Sequence, residues 1–348
     1  MFKLSLQLQK AAQHLRGTTL NVTAVLATLV LLVVPRALAA TTATNSCQLK
    51  SPKGAIQHVI YVQFDNTHFR RDNPDIPSDL EQMPHLLNFI QDNGVLMSND
   101  HTVLISHTAT GILTSLTGVY PDRMGQPVSN SFRYFKTDGT TRTGVSFAYW
   151  TAPLFDPAGS TTDTTPEMTG FAWNHGDIQD EIASTWVGYV GQGVDPAGVD
   201  STTWSDHTDV RPTILELVGL NDDYVHDGRV ISEILEGYAR PLALKKSSSF
   251  VALAQVYKQL NAPFGAFAMA TLRASTKALA SNDADDATYN SIEGQIQALT
   301  TQRNTLAAQM ISLLDGAEFN GQTFSDAQAQ SLIGQGQALL NQANALPH

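Results

Sequence analysis

The sequence predicts an α/β domain, a doubly wound sheet with helices on both faces, followed by a helical C-terminal appendage. Two observations predict it. From Ala55 to about Gly237, short apolar β-rich runs alternate with amphipathic helical stretches, which is the alternation of a sheet covered by helices. From Phe250 onward the strand signals stop, and Ala, Gln and Leu recur at helical spacing.

The first strand is expected at His58–Phe64, an apolar run (HVIYVQF) of the type buried within a parallel sheet, ending in Asp65-Asn66-Thr67-His68. Met83 to Asn93 reads as an amphipathic helix with Leu86, Leu87 and Ile90 on one face and Gly94 as its stop. Val95 to Met97 begins a strand that leads to Asp100-His101. Thr137 to Thr169, rich in Thr, Gly, Asp and Pro, reads as a loop or junction, with only Val145 to Trp150 resembling a strand. Trp186 to Val190 is a further strand, closed by Gly191 and Gly193. Arg211 to Val218 is a short helix with Pro212 in its first turn and Gly219 as its stop. In the appendage, Ser291–Leu314 and Ser325–Leu346 are the clearest helices, separated by a turn over Gly316–Phe324. The resulting division is 1–39, 40–54 as a linker, 55–240 and 241–348.

Residues 1–39 read as a signal peptide. Lys3, Lys10 and Arg16 precede an apolar run from Ala24 to Val34, and Ala37-Leu38-Ala39 offers a small-x-small cleavage site. The run is shorter than the roughly 20 residues a membrane span needs. A secreted or periplasmic protein is therefore expected, with an uncleaved anchor as the alternative. The chain has 21 basic and 32 acidic residues; four basic residues leave with the signal, so 17 against 32 gives a mature charge of −15. That balance excludes nucleic acid and anionic membrane as partners. Cys47 is the single cysteine, so no internal disulfide forms.

The chemistry concentrates in Ser106 to Gly125, SHTATGILTSLTGVYPDRMG, where a hydroxyl-rich loop runs into a helix. A hydroxyl at a helix N-terminus lies near free N–H groups and the positive dipole end, which suits an oxyanion. Asn174-His175-Gly176-Asp177, Asp206-His207-Thr208-Asp209 and His226-Asp227 add imidazole beside carboxylate, a pairing that zinc accepts. For His226-Asp227 a surface pair is the preferred reading.

The helix segment with its T-G-V-Y-P ending resembles the nucleophile loop of the nucleotide pyrophosphatase/phosphodiesterase branch of the alkaline phosphatase superfamily. The resemblance implies an alkaline-phosphatase-like fold and a metal-dependent hydrolase of phosphoric esters holding one or two divalent ions, zinc by the donor types. It places Thr108 at the nucleophile, with Ser106, Thr110 and Thr102 as fallback hydroxyls. Asp65, ending the first strand, matches a metal ligand, and Asn66 would contact the substrate oxyanion. Ser205-Asp206-His207 resembles the superfamily's S-D-H-G element, with Thr208 in place of Gly, and His175 resembles its late histidine. In a second placement Asp209–Leu215 with Gly228 forms the distal ending, His175 keeps its role and Asp206-His207 is merely nearby. Both placements stay open. The section between the nucleophile and the last histidine is short: Phe132 to Met168 contains no histidine. The alternative function is therefore an internally shortened, inactive relative with a scaffold or binding role.

Overall fold

Helix α1 (Pro84–Asn93) hands over directly to strand β1 (Gly94–His101). Gly94 is held to glycine by the pairing with the strand Ser184–Val190, since a Cβ there would lie 2.0 Å from the Tyr189 carbonyl oxygen. The computed structural model describes residues 49–65, 67–71, 73–103, 108–124, 154–155, 162–163 and 180–348. Residues 1–39, read above as a signal peptide, and Cys47, Asn66, Ser106, Val145–Trp150 and His175 lie outside the described residues.

Further along come α2 (Thr108–Thr117), α3 (Pro121–Met124), β2 (Leu154–Phe155), β3 (Thr162–Asp163) and α4 (Asp180–Ala183). They are followed by β4 (Ser184–Val190), β5 (Gly198–Asp200), β6 (Ser205–Asp206) and α5 (Val210–Val218). β1 is central: β4 pairs antiparallel on one edge, and β5 and β6 pair parallel with it. The architecture is thus mixed α/β with a small open mixed sheet and several helices. β2 and β3 form a separate two-stranded pair. Expectation and structure agree on α1, β1, β4 and α5, including Gly219 at φ 68° as the left-handed cap of α5.

The run His58–Phe64 is a correction. It is extended but joins no strand among the described residues, and its side chains are exposed, Ile60 at 87%. An all-apolar strand needs partners on its edges and cover on its faces. Both edges of β1 are already taken by β4, β5 and β6. The segment instead forms a strap, pinned at its start where the Ile56 N–H donates to Ser51 Oγ (3.0 Å). At its end, Phe64 packs on Trp186 (5.8 Å between ring centroids), whose indole N–H donates to the Thr67 carbonyl (2.9 Å).

The C-terminal region contains α6 (Phe250–Asn261), α7 (Ala266–Leu279), α8 (Ala287–Glu318) and α9 (Asp326–Asn344). These four helices enclose one apolar core, with Phe250, Leu253, Tyr257, Met310, Leu314 and Leu339 at its centre. Ser325 caps α9, its hydroxyl accepting from the Gln328 N–H. Leu49–His348 forms one compact unit, and Lys258 of α6 reaches from the bundle into the α/β part. No helix among the described residues is long and apolar enough to cross a membrane.

Candidate active site

Thr108 begins α2, a ten-residue helix rich in Thr and Ser. Thr114, Ser115 and Thr117 turn their hydroxyls back onto the carbonyls of Thr110, Gly111 and Leu113, so these polar side chains are satisfied within the helix. The helix ends at Gly118 (φ 71°), where a Cβ would meet His226 Cβ at 3.0 Å and the Thr208 carbonyl at 3.3 Å. The Asp227 N–H donates to the Gly118 carbonyl at 2.7 Å, which fixes the helix end and therefore the position of its start.

At the start, the Thr108 hydroxyl lies 3.3 Å from Asp65 Oδ1 and 3.4 Å from Oδ2. Both distances are longer than an ordinary O–H···O⁻ bond of about 2.6 Å. The hydroxyl thus straddles the carboxylate without being captured by one oxygen. The resemblance-derived nucleophile and first metal ligand, 43 residues apart in the chain, are adjacent in space.

A second, deeper group lines the same cavity: Asp100, His207 and Ser115. Asp100 sits just beyond a register irregularity in the β1–β4 pairing. It is buried, and its Oδ1 accepts from the Ser205 hydroxyl at 2.6 Å. Its Oδ2 has no partner and lies 4.0 Å from His207 Nε2. His207 Nδ1 also has no hydrogen-bond partner, and the ring lies against Gly111 of α2. Burial pushes the Asp100 carboxyl up to about 8, with the Asp206 and Asp209 charges adding to the rise and the Ser205 hydrogen bond opposing it. Burial lowers the His207 imidazole, against the pull of Asp206. Two buried polar atoms without partners, one a carboxylate oxygen and one an imidazole nitrogen, open on the cavity that Asp65 and Thr108 line.

Asp206 does not join them. Its Oδ1 accepts from Lys258 Nζ (2.9 Å), the Thr208 N–H (2.9 Å) and the Thr208 hydroxyl (2.5 Å), and its Oδ2 from the Tyr120 hydroxyl (2.7 Å). Asp209 also faces Lys258, at 3.0 Å, and caps the turn through the Asp206 N–H. The ammonium holds Asp206 below the usual carboxylate range against the upward push of burial. Asp206 ends β6 with extended backbone (φ −146°, ψ 176°), and His207 opens the 3₁₀ turn His207–Asp209, so the chain changes course between the two side chains. Of the adjacent pair expected as ligands, His207 faces the cavity and Asp206 is committed to Lys258.

Thr110 is fully buried with an unpartnered hydroxyl, while Thr102 donates to backbone carbonyls. His226 and Asp227 are a correction: they are buried, at 5% and 1% exposure, not a surface pair, and their contacts are structural. Asp227 accepts from the Tyr120 N–H at 3.0 Å and pairs with Arg123, and His226 Nδ1 lies 3.0 Å from the Gly228 carbonyl. Asp100 was not expected as a site residue. The signal available was the one that marked Asp65, an apolar strand ending in a carboxylate.

Among the described residues, no group of three or more His, Cys, Asp or Glu side chains is placed to hold a metal ion. No family model, curated protein or solved structure matches the chain.

Proposed function

We propose that this chain is an alkaline-phosphatase-like hydrolase of phosphoric esters, exported from the cytoplasm, with Thr108 as its nucleophile. The observation that carries the reading is the Thr108 hydroxyl at the first turn of α2, 3.3 and 3.4 Å from the two oxygens of Asp65. Two oxygens bound about 2.0–2.1 Å from one tetrahedral zinc lie about 3.3 Å apart, so the observed spacing suits a shared cation. The donor types suit it as well: Asp65 and Thr108 at the surface, Asp100 and His207 beneath, all lining one cavity. When bound, such an ion supplies charge neutralisation and a lowered pKa for the hydroxyl.

The residues of the chain do the rest. Asp65 is within reach of the Thr108 proton and is placed to accept it as Oγ1 attacks phosphorus. The P–O ester bond breaks, the alcohol leaves with a proton, and water then hydrolyses the phosphothreonine to free phosphate. The backbone N–H groups opening α2 face the region where charge builds on the phosphoryl oxygens. Asn66, the expected oxyanion contact, and His175, the expected late ligand, keep those roles as part of the proposal.

A specific observation favours the competing scaffold reading: Asp206 is bound to Lys258, and the described ligand set is short of a closed site. Zinc content and turnover of p-nitrophenyl phosphate and bis-p-nitrophenyl phosphate separate the two. Turnover that is lost in Thr108→Ala while zinc is retained supports the hydrolase. A folded wild-type chain with neither metal nor turnover supports the scaffold.

A further inference from the structure

The candidate site occupies one end of a cavity of about 1030 Å³ between the 57–65 strap and the sheet. That is the top of the size range for small-molecule sites, far more than one phosphate group needs. The far wall is apolar: Phe89 and Ile90 from α1, Val187 from β4, and Ile214 and Leu217 from α5. The near wall is the strap, held at its two ends and without backbone hydrogen bonds to the sheet among the described residues, so a gap runs beneath it. Thr108, Asp65, Asp100 and His207 line the same space, so the polar end and the apolar wall are continuous. No Lys or Arg occurs among the described residues that line it. A ligand with a second or third phosphate would find no lysine or arginine there to offset its added charge.

We propose that the groove binds the apolar alcohol portion of an amphiphilic ester carrying a single phosphate, an alkyl or aryl group of about eight carbons, with the phosphate at Thr108. This inference deepens the hydrolase reading and rests on it for the orientation of the ligand. The apolar wall favours the tail through burial of its methylenes.

The test uses the full-length chain and n-alkylphosphonates, which cannot be hydrolysed, followed by calorimetry below their micelle-forming concentrations. Alkyl p-nitrophenyl phosphates of matching chain length report turnover. Full burial of a methylene is equivalent to about a fourfold gain in affinity. Octylphosphonate is therefore expected to bind at least about thirtyfold more tightly than ethylphosphonate. Phe89→Gln, at a residue 54% exposed at the groove wall, adds no charge and should sharply reduce that gain while leaving ethylphosphonate binding unchanged. Val62→Asp, at a residue 63% exposed on the strap, should reduce it and serves as a second fold-neutral variant. Equal affinity for the two phosphonates, or tighter binding of ADP than of octylphosphonate, overturns the proposal. Chain-length-dependent binding without any turnover leaves the groove standing and removes the hydrolase reading. Turnover that is indifferent to chain length does the reverse.

Discussion

Lys258 is fully buried, and four oxygens surround its ammonium: Asp206 Oδ1 and Thr208 Oγ1 at 2.9 Å, Tyr120 Oη and Asp209 Oδ1 at 3.0 Å. Both aspartates are buried as well, at 1% and 0% exposure, so no water is at hand to replace the cation. Lys258→Met keeps the length and apolar volume of the stem and removes the charge. Two carboxylates are then left facing one another in a dry site. Breaking one side of a buried ion pair costs about 3–5 kcal/mol, a large share of the 5–15 kcal/mol typical of a folded domain. Asp206 retains Tyr120 and Thr208, and Asp209 retains the Arg229 N–H, so the loss should stay within that range. Urea unfolding followed by tryptophan fluorescence measures it. The double-mutant cycle with Asp206→Asn decides the cause. If the loss is uncompensated charge, Asp206→Asn should cost less in the K258M background, with a coupling of about 1.5–3 kcal/mol. A loss below about 1 kcal/mol, or strictly additive variants, would show that Lys258 does not stabilise the fold through its charge on Asp206 and Asp209.

Two further outcomes follow from the same structure. Asp315 of α8 lies 3.8 Å from His226 Nε2 with Oδ1 unpaired, and burial, reinforced by the Asp222 charge, pushes its carboxyl from 3.8 up to about 7. A carboxyl raised on folding favours the folded state fully below pH 4 and loses that contribution as pH rises to about 7. Asp315→Asn, after discounting for the 29% exposure of the side chain, should therefore stabilise by about 2 kcal/mol at pH 8 and hardly at all at pH 4. Urea midpoints at the two pH values check this, and an equal gain at both would remove the electrostatic cause. Gly219→Ala forces an L side chain into φ 68°, and its Cβ would lie 2.1 Å from the Lys50 carbonyl oxygen. A loss of about 2–4 kcal/mol is expected, read as a fall of several degrees in Tm, and an unchanged Tm would mean that the α5 cap relaxes freely.

The sequence by itself determined the elements whose signals are local. Helix α5 was legible because Pro212 and Gly219 bracket it, and α8 and α9 because Ala, Gln and Leu recur at helical spacing. β1 and β4 were legible as apolar runs between turn residues. The pairing of Thr108 with Asp65 was reached through motif resemblance, and the two side chains do meet. Tertiary structure decided everything that depends on competition for a shared surface. His58–Phe64 carries all the local marks of a buried strand, yet the edges of β1 went to β4, β5 and β6, residues about 80 or more positions away in sequence. No local pattern encodes which strand wins an edge. Asp206 and His207 are neighbours that can both ligate a metal, and the change from strand to 3₁₀ turn between them leaves one at the cavity and the other turned to Lys258. The choice between them was made by Lys258, fifty-two residues further on, because a buried ammonium draws the nearest carboxylates to itself. Asp100, likewise, gained its raised carboxyl from burial and from the aspartates that folding gathered around it.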